Sequence, residues 1–220
     1  MCGRYTWSYK NKLPRVEDFQ LPTPPSSVSF NRAPGQSHPI ITEKKGKPAW
    51  SYADWGLNLV IKQSRVKIKP INARIESILE KNIFKKPFEN TRCLIPADGY
   101  YEWQNLEYEK YPYYHFKSDK SSFLMAGIYT VTENSKSFAI MTHSAAKNLS
   151  HIHNRMPVII KPHDWNTWIN PNSNLNHILK DYSDSQIELK YHQVHARVNR
   201  TSENDEGLIF PFKEKQSTLW

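Results

Sequence analysis

Fifteen prolines are scattered through this chain of 220 residues. Proline lacks a backbone donor and clashes with the preceding helical turn, so the elements such a chain can build are short. The runs AWSYADW, RCLIPA, GYYEW, YPYYHFK, SFLMAGIYTV, SFAIMTH, MPVII and IELKYHQV are aromatic and β-branched and are bounded by turn residues, the pattern of strands. The runs ARIESILEKN, SAAKNLSHI, PHDWNTWI and NSNLNHILKDY read as short helices, the third with His163 or Asp164 as a cap after Pro162. LPTPPSSVSF reads as a loop before a strand. Strands outnumber helices and no βαβ alternation appears. The expected fold class is therefore α+β: a mostly antiparallel, barrel-like β core flanked by several short helices. With 38% hydrophobic residues, no repeat and no dividing linker, residues 1–220 are expected to form a single domain.

Composition narrows the function classes. No run of 18 apolar residues spans a membrane, and the N-terminus carries no apolar signal-peptide core. No membrane partner is expected, and the expected location is cytoplasmic, nucleoid-associated in a bacterium. Two cysteines, Cys2 and Cys93, do not make a disulfide scaffold in a chain this long. A reducing compartment suits them, with Cys93 as a buried core residue. Lys and Arg number 30 against 21 Asp and Glu, a net charge of +9. That excess favours a polyanionic partner, nucleic acid first, with plain solubility as the alternative. No P-loop, GxGxxG or GxSxG sequence is present, which leaves nucleotide hydrolysis, Rossmann binding and α/β-hydrolase chemistry without support.

The chain opens MCGRYTW. If Met1 is removed, Cys2 carries a free amine (pKa ~7.7–8.0) and a thiol (pKa ~8.5) on adjacent carbons. Such a 1,2-aminothiol condenses with an aldehyde to an imine and then to a thiazolidine, the ring closure gaining from intramolecularity. The plain alternative is a small residue at a frayed terminus. Three further polar positions stand in apolar or aromatic company. Glu102 alternates with Tyr101 and Trp103; in a closed cleft its pKa would rise and suit proton transfer, otherwise it is an exposed strand residue. His153 is a general acid or base, or a core or capping histidine. Asn72 is a site residue or the N-cap of the helix expected after it. His151 and His153 have no third ligand at zinc-like spacing. Arg4, Arg74 and Arg155 put a cation beside each reactive group, as a phosphodiester substrate would want, or are surface arginines.

In order along the chain, MCGRY, NRAPGQ, WGL, INARIES, RCLIPADGYYEW, MAGIY, MTHSAA, HNRMPVII and VNRTSENDEGLIFP resemble the SRAP (SOS response-associated peptidase) family, over nearly the whole chain. The resemblance implies a sensor of abasic sites in single-stranded DNA that forms a thiazolidine DNA–protein crosslink through Cys2 and shields the lesion. It implies crosslink reversal, lyase-like Schiff-base chemistry and an autopeptidase step that exposes Cys2. By motif, Asn72 positions the Cys2 terminus and the sugar, Glu102 shuttles protons, and His153 protonates the sugar ring oxygen. Arg4, Arg74 and Arg155 hold phosphates, and Pro34 and Thr142 line the DNA path. The partner implied is single-stranded DNA containing abasic sites, bound by a monomer. No cofactor is implied, because the electrophile resides in the substrate.

Two positions depart from the family pattern. Leu59, Val60 and Ile61 stand where members often carry Pro and Trp after WG, so base stacking there is lost, with the Lys/Arg run from Lys62 to Lys69 as a possible compensation by phosphate contact. Asn154 stands where Asp is common, which would lower the His153 pKa. Two other readings stay open: an N-terminal cysteine hydrolase of the glutamine amidotransferase type, and a DNA-binding module without covalent chemistry.

Overall fold

The computed structural model describes residues 2–8, 13–61, 66–133, 135–183 and 187–212. The first strands are β1 (Arg4–Trp7), β2 (Ser29–Arg32), β3 (Ser37–Lys44), β4 (Lys47–Trp55), β5 (Leu59–Ile61), β6 (Val66–Ile68) and β7 (Asn72–Arg74). Helix α1 (Asn82–Asn90) leads into β8 (Arg92–Ala97), β9 (Gly99–Leu106), β10 (Glu109–Lys117), β11 (Phe123–Val131) and β12 (Lys136–Ser144). Two short strands, β13 (Arg155–Pro157) and β14 (Ile159–Ile160), precede helices α2 (Trp165–Ile169) and α3 (Asn176–Ser183) and the last strand, β15 (Leu189–Gln193).

The larger sheet closes on itself. Its order runs β12-β4-β3-β8-β11, and β11 pairs back onto β12. All these pairings are antiparallel except β12 with β4; β7 also lies parallel to β12, beyond the end of β4. A second sheet, in the order β15-β10-β9-β1-β2, packs beside this barrel. Period-two alternation sorts the side chains. Cys93, Ile95, Met125, Phe138 and Ile140 share one core with Cys2 and with Tyr5, Trp7 and Tyr100 of the second sheet. Leu94, Leu124, Ala126, Ala139 and Met141 point the other way, against Phe84 and Phe88 of α1, Trp165 and Trp168 of α2 and Ile178 of α3. The α+β, barrel-like expectation is met. Among the described residues no helix is long and apolar enough to cross a membrane.

Two expected helices are not there. At 73–82, residues Asn72–Arg74 are drawn into the parallel pairing with β12, so only one 3-10 turn forms at Ile75–Ser77, and the helix starts later, at Asn82. Pro87 lies inside that helix, which hid it from a sequence reading. At 144–152 the chain makes separate turns, Leu149 N–H to Ala146 O and Ile152 N–H to Leu149 O, because Ala145 N–H bonds Asn154 O and closes the segment as a loop. The run MPVII splits at Val158, whose N–H serves Met141 while its carbonyl serves Ala126. Arg92 explains why short helices hold: its buried guanidinium donates to the carbonyls of Phe88 and Glu89 at the end of α1 and of Trp168 and Asn170 at the end of α2. Burial pushes its pKa down to about 10.

Strands β9 and β10 approach closely at Gly99, where a Cβ would stand 2.5 Å from the carbonyl oxygen of His115, and closer still to the Tyr114 ring. Gly99→Ala is therefore expected to destabilise the protein by about 1–3 kcal/mol through overpacking. Urea denaturation of the two proteins measures the difference.

Candidate active site

The chain enters its sheet at once. Strand β1 lies between β2 and β9, with Arg4 opposite Tyr101 and Tyr5 opposite Tyr100. This register carries Cys2 into the core, where it is 0% exposed. Its carbonyl accepts a hydrogen bond from Asn72 Nδ2 at 3.1 Å. Asn72 reaches it because β7 runs beside β12 with Asn72 opposite Ile140. The other amide atom, Asn72 Oδ1, is buried and has no hydrogen-bond partner among the described residues.

Glu102 lies on β9 as its neighbours require. Tyr101 and Trp103 turn toward Phe30 and Tyr114 in a third cluster, and Glu102 takes the opposite face with Tyr100. It is 2% exposed. Burial raises its carboxyl to about 7, against the opposing pull of the positive amino terminus. His153 Nδ1 lies 4.0 Å from Glu102 Oε1. That nitrogen accepts the Arg155 backbone N–H at 3.0 Å, so the ring proton of the neutral imidazole resides on Nε2. Burial first, then the positive terminus, lowers the His153 pKa. Asn154 is not among the causes of this shift. Burial and then the charge of Glu102 raise the Cys2 thiol well above its ordinary value. Near pH 7 the group therefore holds a neutral thiol, a neutral imidazole and a carboxyl poised to gain or lose a proton.

The cations are not equivalent. Arg74 is exposed, two residues from Asn72. Arg4 is half-buried; its Nη1 donates to Gly3 O at 2.9 Å, and burial lowers its pKa. Arg155 is buried and engaged: Nη1 and Nη2 form a fork on the Glu76 carboxylate at 2.7 and 2.8 Å, and Nη2 also donates to the Thr142 carbonyl at 2.6 Å. Thr142 is fully buried, its hydroxyl 3.3 Å from the same nitrogen. Glu76 further accepts the Ser144 N–H at 3.2 Å. Burial pushes the Glu76 carboxyl up, but the Arg155 fork outweighs it and the pKa falls. Glu76 thus ties the β7 segment that carries Asn72 to the loop that carries His153. Sequence reading passed over it, although it stands inside INARIES. Pro34 lies on a separate half-buried turn between β2 and β3. Of the Lys62–Lys69 run, residues 62–65 lie outside the described residues.

Residues 1–201 match the family model described as SOS response associated peptidase (SRAP). The abasic site processing protein YoqW of Bacillus subtilis is 32% identical over 225 residues, covering 95% of this chain and 99% of its own. The chain belongs to the SRAP family. The abasic site processing protein YedK of Escherichia coli is 26% identical, over 77% of this chain and 79% of its own. A crystal structure of a protein from Bacteroides thetaiotaomicron superimposes with a TM-score of 0.72 at 24% identity, covering 84% of this SRAP chain and 86% of that one, so the two share a fold.

The raised Glu102 pKa has a thermodynamic signature. A carboxyl that titrates near 7 when folded and at 4.5 when unfolded binds more protons in the folded state between those values, so stability falls as pH rises through that window. Glu102→Gln removes the buried charge. Relative to the natural chain, it is expected to gain stability on the order of 3 kcal/mol between pH 4 and pH 8. Denaturant melts of both proteins at the two pH values measure it.

Proposed function

We propose that this SRAP protein captures abasic sites in single-stranded DNA, by forming a thiazolidine between Cys2 and the ring-opened sugar aldehyde once Met1 has been removed. The observation that supports this reading most is the 3.1 Å hydrogen bond from Asn72 to the Cys2 carbonyl, made beside a carboxyl raised to about 7. The names of YoqW and YedK, both abasic site processing proteins, support the substrate class.

The proposed chemistry begins at the amine, since the buried thiol is held protonated. Glu102 takes a proton from the Cys2 ammonium, and Asn72 Oδ1 orients the resulting amine. The amine adds to the aldehyde carbon, and the carbinolamine loses water with the proton returned by Glu102. The thiol then adds to the imine carbon, its proton passing to the imine nitrogen. One water is lost overall. Reversal runs the same steps backward. His153, neutral with its proton on Nε2, donates a hydrogen bond to the sugar ring oxygen and so favours the open aldehyde. The same Glu102 and His153 are proposed to serve the autopeptidase step that exposes Cys2.

Arg4 and Arg74 are proposed to hold phosphates, with Pro34 along the DNA path. For Thr142 and Arg155 the contacts support a different role from the sequence expectation: a clamp with Glu76 that fixes Asn72 against His153. No cofactor enters, because the electrophile is in the substrate. We propose one domain acting as a monomer in the cytoplasm.

The test is intact-mass spectrometry of the processed protein mixed with a single-stranded oligonucleotide carrying one abasic site. The expected product has the mass of protein plus DNA less one water, resists heat, and is absent with Cys2→Ala. Cys2→Ser should stop at an imine that borohydride traps. Processed protein that yields no adduct overturns the proposal, and glutaminase activity in that preparation would favour the amidotransferase reading instead.

A further inference from the structure

A column of aromatic rings leads out of the candidate site across the second sheet. It starts at Tyr100, two residues before Glu102 and on the same face of β9. Tyr100 stacks on His115 of β10, ring centroids 4.7 Å apart and planes within 7°. His115 in turn faces Tyr191 of β15 at 5.8 Å and 32°. The strand register dictates this alignment, because His115 lies opposite Tyr100 on one side and Tyr191 on the other. Burial drives the His115 pKa down to about 3, so this ring is uncharged and packs as a plain aromatic.

The column ends at solvent. Tyr191 is 37% exposed on an edge strand. Two further rings frame it at steep angles: Tyr113 at 6.1 Å and 64°, and exposed His151 at 5.4 Å and 60°. Both belong to the border of the candidate site. Tyr113 lies opposite Glu102 in the β9–β10 register. His151 precedes His153 by two residues, and its carbonyl accepts Gln104 Nε2 at 3.1 Å, Gln104 following Glu102 by two. The exposed ring thus lies two strand spacings from the strand of Glu102, roughly 10 Å, within reach of a nucleotide next to the one being captured.

We propose that Tyr191, framed by Tyr113 and His151, is a stacking subsite for an unpaired nucleobase that flanks the abasic nucleotide. This rests on the reading of the Cys2 group as an abasic-site centre. The abasic nucleotide offers no aromatic ring of its own, so a strand bound there must be gripped by its phosphates and by neighbouring bases. Every base presents a π-face, so an exposed tyrosine that continues a ring column accepts any of the four. Base–aromatic stacking of this kind shifts affinity by about 5- to 150-fold per base.

Two readouts separate this subsite from the chemistry it serves. The first is non-covalent binding, by fluorescence anisotropy, of oligonucleotides carrying an uncleavable tetrahydrofuran site, with its flanking bases present or replaced by base-free spacers. Tyr191→Ala is expected to weaken binding about 5-fold or more when the flanking bases are present, with a much smaller effect when both are removed. Tyr191→Phe is expected to restore binding, since only the ring is needed. His151→Ala, at an exposed loop position, gives a second and smaller loss with the same dependence on flanking bases. The second readout is crosslink yield with a true abasic site in the natural chain. If Tyr191→Ala binds both oligonucleotides like the natural chain, or weakens both equally, the stacking subsite is overturned, whether or not crosslinks form. If the base-dependent loss appears but no crosslink forms, the subsite stands and the thiazolidine reading falls.

Discussion

Strand β12 is the member on which the site depends. It pairs antiparallel with β11 and β13 and parallel with β4 and β7. The pairing with β4 closes the barrel. The pairing with β7, three residues from Asn72 to Arg74, brings the Asn72 amide to the Cys2 carbonyl. The pairing with β13 sets Arg155, and with it the backbone N–H that fixes the His153 ring. Strands β4 and β7 are far from β12 in sequence, so those two pairings close a long loop before they gain any contact. The site therefore comes together only when the barrel does, and a fault in β12 would reach all of its parts at once.

Around that strand the protein keeps two carboxylates under opposite conditions. Glu76 meets a guanidinium fork that lowers its pKa; it acts as a fastener between β7, the end of β12 and β13. Glu102 meets desolvation that outweighs the pull of the positive amino terminus, and its proton affinity rises toward neutrality. The first arrangement favours stability, and the second gives it up for a group that can exchange protons near physiological pH. Both carboxylates stand in short motifs, and the fold gives them opposite surroundings.

That difference marks how far the sequence could be read. The strands from Arg92 to Lys117 were legible because their aromatic and β-branched runs are bounded by turn residues, and alternation along β9 separated Glu102 from Tyr101 and Trp103. The expectation of a buried Cys93 held. Strand β3 was not legible, since Pro39 and polar ends interrupt it, and β7 was read as part of a helix because INARIES has helical spacing. Parallel pairing with a distant strand outweighed local propensity there. The role of Arg155 shows the same limit. Its neighbourhood with His153 is visible in sequence, but its fork on Glu76 requires β7 and β13 to stand at the same end of β12.

The burial of Cys2 has a consequence for the chemistry of the cell around it. A thiol at 0% exposure, held in its neutral form, is a poor target for peroxide, for disulfide exchange and for alkylating metabolites, all of which select accessible thiolates. Free sugars and other small carbonyl compounds carry no phosphate chain or bases to help them into such a recess. If Cys2 captures abasic sites as proposed, concealment of this kind works as a filter, admitting only carbonyls that arrive attached to something the protein can grip. On the proposed reading, it also lets an intrinsically indiscriminate functional group persist unspent among abundant metabolites until a scarce lesion appears.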